Sequence, residues 1–375
     1  MAGIYVHIPF CKKACHYCDF HFSTTTNRQQ EMVDSISKEL VIRKDYLNQQ
    51  PIETIYFGGG TPSLLTAAQL NQIINQINTS FNVVEDAEIT LEANPDDLCK
   101  EKLIQLKKAK INRLSVGIQS FIDRDLKWMN RSHSATQAKQ CITDAQEIGI
   151  NNITIDLIYG IPQQSESEWQ QNLGTALSLG IQHISSYCLT VEPKTALAHM
   201  VKKKEVKQVQ DEVAAHQFTT LIDTLAAHGI EQYEISNFSV PGCESKHNTN
   251  YWRGVHYLGV GPSAHSFDGN SRQWNVANNN KYLSSIAENT VNFEQEELTE
   301  IQKYNEYVLT TLRTKWGIDK KYVLTQFSNE IVDFFQKEAQ KQIKNGVLNK
   351  IDHHYVLTAK GKFLADRIAS DLFYI

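Results

Sequence analysis

The stretch HIPFCKKACHYCDF, residues 7–20, places three cysteines, Cys11, Cys15 and Cys18, within eight positions. A structural zinc site uses four protein ligands, usually as two separated pairs, and no second Cys or His pair of that kind follows in the chain. A [4Fe–4S] cluster held by three cysteines keeps one iron open to an outside ligand. Because lysine, histidine and aspartate make this loop polar, buried structural thiols are disfavoured. The spacing predicts a three-cysteine [4Fe–4S] cluster, and zinc with a nearby histidine as fourth ligand is the alternative.

Six short β-branched runs alternate with stretches of helical periodicity in the first 235 residues. The predicted strands are residues 4–8, 54–59, 88–94, 113–119, 152–160 and 183–190. They are mostly continuous apolar runs, as expected where both faces of a parallel sheet are covered. Strands and helices that alternate in this way indicate βαβ units and an α/β fold. Six units fall short of a closed eight-stranded barrel, so a partial (β/α)6 barrel and a doubly wound sheet both fit.

Polar or glycine-rich segments follow each predicted strand. In chain order they are CKKACHYC, GGGTP, EANP, GIQS, DLIYGIP and CLTVEP. In both candidate architectures the carboxyl ends of parallel strands carry the chemistry. We therefore expect these six segments to meet at one rim and to form a single site.

The chain divides into three predicted regions. Residues 1–235 are the barrel core, residues 236–295 are a connecting segment with its own motif, KHNTNYW, and residues 296–375 are a small C-terminal α+β domain. In the C-terminal domain, a buried helical face is predicted at Ile301, Tyr304, Val308, Leu312 and Trp316. A helix over 329–345, two short strands and a final helix over 359–373 follow, which predicts a winged-helix-like domain.

Composition limits the classes of function. The chain has 375 residues, 41% hydrophobic residues and a net charge of −5, so no global feature indicates nucleic-acid binding. No apolar run is long enough for a transmembrane helix, and no signal peptide is visible. Peripheral contact with a membrane is compatible with this composition. Seven cysteines, four of them scattered, are typical of a reducing compartment. We expect a cytoplasmic protein that is a monomer or a homodimer.

The cysteine stretch resembles the C-x3-C-x2-C motif of the radical S-adenosylmethionine (SAM) superfamily, including the aromatic Tyr17 before the third cysteine. The resemblance implies that the amino and carboxylate groups of SAM chelate the open iron. It also implies that the reduced cluster can cleave the sulfonium to a deoxyadenosyl radical. In FGGGTP, residues 57–62, the glycines allow the backbone to approach a ligand closely. The resemblance implies that this loop binds the methionine moiety.

Within the superfamily the chain is similar to the oxygen-independent coproporphyrinogen III oxidases. The similar stretches are YVHIPFCKKACHYCDF, YFGGGTPSLL, LEANPDDL, RLSVGIQSF, LKWMNRSHS and IDLIYGIPQQ. The resemblance implies cofactor contacts by Tyr5, Tyr17, Gly59, Gly60, Thr61, Glu92, Gln119, Arg131 and Asp156. The last three match positions that hold cofactor in the oxidases, partly a second SAM molecule. A surface position for Arg131 and a loop-capping role for Asp156 are the alternatives.

At two points the chain differs from the oxidases and resembles the haem chaperones of the HemW type. Phe20 stands where the oxidases carry a further cysteine, and the chain lacks their N-terminal extension; KHNTNYW also fits the H-N-x-x-Y-W motif of this type. The resemblance implies haem as cargo and a haem-accepting respiratory protein as partner. His247 is the candidate haem ligand, with Cys243, His256 and His265 as alternatives. Coproporphyrinogen oxidation to protoporphyrinogen is the alternative function, and a radical enzyme with another substrate is a third.

Overall fold

The computed structural model describes residues 1–375. Its strands are β1 Ala2–Ile8, β2 Ile52–Gly59, β3 Val83–Ala93, β4 Arg113–Gln119, β5 Asn152–Tyr159, β6 His183–Cys188, β7 Glu231–Glu234, β8 Asn237–Ser239, β9 Tyr257–Val260, β10 His265–Phe267, β11 Ser271–Asn275, β12 Phe293–Glu297, β13 Ile318–Asp319, β14 Leu348–Ile351 and β15 His354–Leu357. Its helices are α1 Gln29–Ile42, α2 Ala67–Ser80, α3 Lys100–Lys108, α4 Asp123–Trp128, α5 Ala135–Glu147, α6 Glu166–Ser178, α7 Ala196–Lys202, α8 Asp211–Ala226, α9 Lys246–Trp252, α10 Asn279–Ala287, α11 Glu300–Leu312, α12 Lys320–Gln326, α13 Asn329–Lys344, α14 Ala359–Lys362 and α15 Ala365–Asp371.

The six predicted strands, β1 to β6, are parallel neighbours in one sheet, in the order of the chain. A doubly wound sheet reverses its strand order at a switch point, whereas an unbroken order is that of a (β/α) barrel. The sheet does not close, because β1 pairs with β9 and β6 pairs with β8. The architecture is therefore the partial (β/α)6 barrel, and the doubly wound alternative is excluded.

The barrel strands have one apolar and one polar face. On β1, Ile4, Val6 and Ile8 are fully buried in a core of 55 residues that the surrounding helices complete. Between them Tyr5 and His7 are hydrogen-bonded to each other inside the barrel. Both faces of the strands are covered, as predicted, but this barrel holds polar groups on the inner face instead of an apolar filling.

The segment 236–295 contributes strands to both edges of the sheet. β8 pairs antiparallel with β6, whereas β9 pairs parallel with β1 and continues into the antiparallel strands β10, β11 and β12. Between these strands the short helix α9 packs on β2, and the Glu88 carboxylate of β3 accepts hydrogen bonds from the first two backbone amides of α9. This segment thus fills space inside and beside the barrel.

The C-terminal region forms a second core of 15 buried residues. Helix α11 is followed by β13, α12, α13 and the hairpin β14–β15, and the three strands form a sheet in the order β13-β15-β14. This is the predicted winged-helix-like arrangement. The predicted last helix is divided into α14 and α15, because the backbone of Leu364 leaves helical geometry at φ −121°. None of the helices has the length and the apolar character that a bilayer span requires.

Candidate cofactor site

The three cysteines lie on the loop that follows β1. All three thiols are free and partly exposed. Backbone hydrogen bonds close the loop, from the Cys11 amide to the Ser23 carbonyl at 3.0 Å and from the His16 amide to the Met129 carbonyl at 3.2 Å. The loop thus has a defined course, and its thiols face the rim of the barrel.

The thiols influence one another electrostatically. The pKa of Cys18 is raised to about 12, mainly by burial and in smaller part by the neighbouring Cys15 and Cys11. Burial likewise raises the pKa of Cys11, a shift that the hydrogen bond from Thr61 partly opposes. Because iron binds thiolates, a cationic cluster would supply the positive charge that ionised thiols need here.

A continuous hydrogen-bond network connects two of the thiols through the rim. The Thr61 hydroxyl donates to the Sγ of Cys11 at 3.4 Å and accepts from the Asn94 side-chain amide at 3.3 Å. The Asn94 carbonyl oxygen accepts from Nη2 of Arg131 at 2.6 Å, and Nη1 of Arg131 donates to the Sγ of Cys15 at 3.3 Å. The structure therefore brings Cys11, Cys15, Thr61 and Arg131 together, with Asn94 as the connecting residue.

The glycine-rich segment after β2 packs directly on the start of the cysteine loop. The Gly60 amide donates to the Ile8 carbonyl at 2.9 Å, and a methyl group at Gly60 would approach the Phe10 carbonyl oxygen to 2.6 Å. Gly59 has φ +104°, a conformation that L side chains rarely adopt, and a methyl group there would meet the His7 ring at 2.5 Å. Glycine at both positions is therefore required for this close approach.

A carboxylate lies beneath this segment. Glu92 accepts from the Tyr56 hydroxyl at 2.8 Å and from the Gly59 amide at 3.2 Å. Burial raises its pKa to about 7, and the charge of Asp156 adds to the shift. A methyl group at Gly58 would contact the Tyr5 ring, the Tyr56 ring and the Glu92 carboxylate within 3.1 Å. Tyr5 and Glu92 thus face the same small space inside the barrel.

Gln119 ends β4, and Asp156 lies within the neighbouring strand β5. Gln119 has φ +67° at an irregularity in the β4–β5 pairing, and such strained backbone is concentrated at functional sites. Burial raises the pKa of Asp156 to about 6, whereas a hydrogen bond from Ser185 and the charges of Arg113 and Arg131 lower it. Arg131 is itself enclosed, and its Nε has no partner. The alternative of a surface position for Arg131 is therefore excluded.

The donor atoms at the rim suit an iron–sulfur cluster better than a single metal ion. No three His, Cys, Asp or Glu side chains of this structure are gathered around one point in the manner of a single-ion site. The three thiols lie at the mouth of a polar chamber, the arginine Nε is unpaired and the glycine segment offers close backbone approach. Such residues fit an iron–sulfur cluster with a small zwitterionic ligand beside it.

His247 is part of the barrel interior. Its ring is 2% exposed and stacks on Tyr56 with ring centres 4.9 Å apart. Nδ1 is hydrogen-bonded to the Thr54 hydroxyl at 2.7 Å, and Nε2 is hydrogen-bonded to the Tyr251 hydroxyl at 2.9 Å. Burial lowers the pKa of His247 to about 3. The imidazole thus offers no free nitrogen to an iron atom in this conformation, and His247 attaches α9 to the barrel.

Three further residues of the rim and chamber were not among the cofactor contacts that the sequence suggested. Asn94 stands in the quoted stretch LEANPDDL directly after β3, and this position at the carboxyl end of a strand was the available signal. Tyr56 and His7 line the chamber beside Glu92 and Tyr5. The alternation of inner and outer positions along β1 and β2 could have identified these two residues. The apolar residues on either side of them made this alternation hard to see.

Comparisons with known proteins agree with this geometry. The family model described as the radical SAM superfamily matches residues 5–176, and the model of the HemN C-terminal domain matches residues 298–364. The fold also resembles that of coproporphyrinogen III oxidase (HemN) from Escherichia coli, with a TM-score of 0.86, 23% identity and coverage of 99% of this chain and 90% of that chain. Fold and family model together define a protein of the radical SAM superfamily.

Relatives that match over nearly the whole chain define its family within this superfamily. The haem chaperone HemW of Bacillus subtilis is 35% identical over 98% of both chains. The haem chaperone HemW of Mycobacterium tuberculosis (strain H37Rv) is 33% identical over 99% of this chain and 94% of its own. The chain belongs to the HemW family.

Proposed function

We propose that this protein is a haem chaperone, which binds haem and transfers it to a haem-accepting respiratory protein. The observation that carries the proposal is the 35% identity to the haem chaperone HemW of B. subtilis across 98% of both chains. These relatives are named haem chaperones, which indicates haem as the cargo. The respiratory acceptor is the partner that the resemblance of the sequence implies.

Phe20 favours the chaperone over the oxidase. It stands where the oxidases carry a further cysteine, two positions after Cys18, and its side chain is 67% exposed. A phenyl ring can neither ligate a metal nor exchange a proton or a hydrogen atom as a thiol does. The position is therefore suited to contact an apolar surface and not to assist a radical reaction.

We propose that Cys11, Cys15 and Cys18 hold a [4Fe–4S] cluster. The loop offers these three thiols, and the guanidinium of Arg131 and the hydroxyl of Thr61 already donate hydrogen bonds to two of them. Hydrogen bonds to cluster sulfurs and nearby charge tune the reduction potential of such a cluster. A reduced cluster of this type supplies one electron to its ligand.

The rim beside the thiols is the proposed SAM site. We propose that the Gly59–Gly60 backbone and the Glu92 carboxylate bind the ammonium group, with Thr61, Tyr5 and Tyr17 around the ligand. We propose that Arg131 provides the positive charge for the SAM carboxylate. Its side chain has an unpaired Nε and lies beside Cys15, which supports this role. Gln119 and Asp156 complete the inner wall below the ligand and form the second half of the proposed site.

Anaerobic titration of the reconstituted protein with ferric haem tests the proposal. A saturable shift of the Soret band at one equivalent of haem per chain is expected. Absence of saturable binding would contradict the chaperone function. A parallel incubation of the reduced protein with SAM and coproporphyrinogen III is expected to give no protoporphyrinogen. Its formation would establish the oxidase instead.

A further inference from the structure

A large cleft separates the added strands of the barrel sheet from the winged-helix-like domain. Its volume is 1170 Å³, above the range of about 300–1,000 Å³ for ordinary small-molecule sites. β9 to β11 supply one wall, α11 and the winged-helix-like strands supply the other, and residues 19–21 of the cysteine loop close one end. The cleft therefore has room for a flat ligand of tetrapyrrole size and adjoins the cofactor site.

We propose that haem binds in this cleft, with His265 as the axial ligand of the iron and with Arg253 and Lys303 as partners of the two propionates. The proposal rests on the proposed function, because the chaperone function supplies haem as the ligand. It differs from the sequence-based expectation, in which His247 is the ligand.

His265 has the free imidazole that iron ligation requires. Neither ring nitrogen has a hydrogen-bond partner, and the ring packs beside that of Trp274 on the neighbouring strand, with centres 6.2 Å apart and planes inclined by 28°. Strand pairing of β10 with β11 fixes the backbone of His265 opposite Trp274. Burial and the Arg272 charge lower the pKa of His265, which favours the neutral form that binds metals.

The other histidines of the cleft are less suited. His7 uses both ring nitrogens, towards Tyr5 and the His21 carbonyl. His256 uses Nδ1 towards Gln50, and its Nε2 faces the backbone of Gly269, where a methyl group would approach to 2.6 Å.

Two further histidines remain. His21 uses Nε2 towards Asn279 and belongs to the cysteine loop. His354 has no hydrogen-bond partner and is exposed, as His265 is, but it lies on the opposite wall of the cleft as the first residue of β15. Of these two free imidazoles, we assign His265 as the ligand, because it lies on the barrel wall next to the cofactor site, within electrostatic reach of His7, and its ring packs beside Trp274.

The cleft carries two cations without a carboxylate partner. The Arg253 guanidinium lies over the Trp316 ring, with its Cζ 4.5 Å from the ring centre, and forms no ion pair. The Lys303 ammonium contacts only the Asn270 side-chain carbonyl, at 2.8 Å. By contrast Arg272 is neutralised by Glu306, with N–O distances of 2.6 and 2.8 Å. Two unpaired cations match the two propionates of one haem by charge, and the two carboxylates of the cleft that form no ion pair, Asp19 and Asp319, lie on the cysteine loop and at the N-terminus of α12.

Aromatic rings line both walls of the cleft. Tyr257 and Phe267 are paired on neighbouring strands of the barrel wall. Tyr307 and Tyr322 stack 4.3 Å apart on the opposite wall, and the exposed Phe20 ring lies at the end formed by the cysteine loop. Flat apolar side chains on opposite sides suit a flat apolar macrocycle.

The H-N-x-x-Y-W motif also contributes to this cleft, although its histidine does not. Tyr251 and Trp252 line the cleft, whereas His247 lies behind them and holds the Tyr251 hydroxyl at 2.9 Å. The motif therefore forms and braces one wall of the proposed haem site.

Haem titrations of His265→Ala and His354→Ala test the ligand. His265→Ala is expected to weaken haem binding by about 100-fold or more and to change the Soret band, since even residues behind a ligand contribute about 10–100-fold. Added imidazole is expected to restore the band. His354→Ala tests the rival imidazole of the cleft and is expected to keep most of the affinity, whereas His216→Ala, exposed on α8 outside the cleft, is the matched control and is expected to bind as the unaltered protein does. An unchanged affinity and spectrum in His265→Ala would overturn the assignment.

The propionate contacts are tested with haem and haem dimethyl ester, which lacks the propionate charges. Arg253→Gln and Lys303→Gln are each expected to weaken binding of haem by about tenfold and to leave binding of the ester unchanged. Equal losses for both ligands would refute the charge pairing. If the unaltered protein binds no haem, the proposed function fails; if it binds haem and these variants do too, only this site fails.

Discussion

Nη1 of Arg131 lies 3.3 Å from the Sγ of Cys15, although the two residues are 116 positions apart in the chain. The same guanidinium donates from Nη2 to the Asn94 side chain and to the Gly117 carbonyl, both at 2.6 Å. A partly buried cation is thus fixed by Asn94 after β3 and by Gly117 of β4, and it points at a proposed iron ligand. Because a positive charge stabilises the more negative form of a redox centre, this contact is expected to influence the cluster potential.

Removing this charge should lower the reduction potential. We expect Arg131→Gln to shift the cluster potential negatively by tens of millivolts, where about 59 mV corresponds to a tenfold change for one electron. An anaerobic redox titration followed by electron paramagnetic resonance measures the shift. Arg124→Gln is the control, because Arg124 is paired with Glu168 on the surface. An unchanged potential in Arg131→Gln would mean that the contact does not act on the cluster.

The three thiols should be required for iron and a distant thiol should not. We expect Cys18→Ser to lose nearly all of the about four irons per chain after anaerobic reconstitution. Cys99→Ser should retain them, because Cys99 is exposed at the start of α3, away from the loop. Iron and sulfide analysis measures both variants. Full iron content in Cys18→Ser would remove Cys18 from the ligand set.

A cluster held by three cysteines has one iron without a protein ligand, so SAM binding should change the surroundings of that iron only. Mössbauer spectra of protein reconstituted with 57Fe should show one of the four iron sites changing when SAM is added. Four unchanged sites would refute SAM binding at the cluster.

Glu92 should make SAM affinity depend on pH. Its pKa of about 7 lies above the ordinary value of 4.5, so the carboxyl group is protonated at pH 6 and ionised at pH 8. Only the carboxylate attracts the ammonium group of SAM, so affinity should rise with pH by up to about tenfold per unit below the pKa. Glu92→Gln should bind weakly at every pH. The exposed Glu212→Gln is the control, and isothermal titration measures all three proteins.

The same raised pKa should cost stability. The folded ligand-free protein holds this proton more tightly than the unfolded chain, so stability should fall as pH rises from about 4.5 to about 7. Glu92→Gln should lessen this loss, which urea unfolding at pH 5 and pH 8 measures. Identical pH profiles for Glu92→Gln and the unaltered protein would show that Glu92 does not titrate in this range.

His247 should be needed for stability and not for iron ligation. We expect His247→Ala to lower the free energy of unfolding by about 2–4 kcal/mol, because it opens a cavity and leaves the Thr54 and Tyr251 hydroxyls unpaired. Urea unfolding of the haem-free protein measures this, with His354→Ala as control. Normal stability together with lost haem binding would restore His247 as the ligand.

Local sequence pattern was sufficient for the elements of the fold. The β-branched runs were confirmed as β1 to β6, because each is continuous and followed by a turn segment. Pattern could not decide between a partial barrel and a doubly wound sheet, since strand order is a long-range property. For the same reason it could not reveal that β9 pairs with β1 and that segment 236–295 extends the sheet.

The sequence suggested those parts of the candidate site whose residues are close together in the chain. It did not suggest the parts that distant residues form after folding. Three closely spaced cysteines and three consecutive glycines can be recognised as motifs from the sequence alone. The burial of His247 depends on Thr54 and Tyr56, almost 200 positions earlier, which no motif encodes. The cleft around His265 joins two regions of the chain and is visible only in three dimensions.

The chaperone function is tested most directly by the rate of haem transfer. The protein is loaded with one haem and mixed with haem-depleted respiratory membranes, and its spontaneous haem loss is measured separately with apomyoglobin as a scavenger. We predict transfer to the membranes faster than spontaneous loss, at a rate that increases with membrane concentration. A transfer rate equal to spontaneous loss and independent of the membranes would contradict delivery to an acceptor.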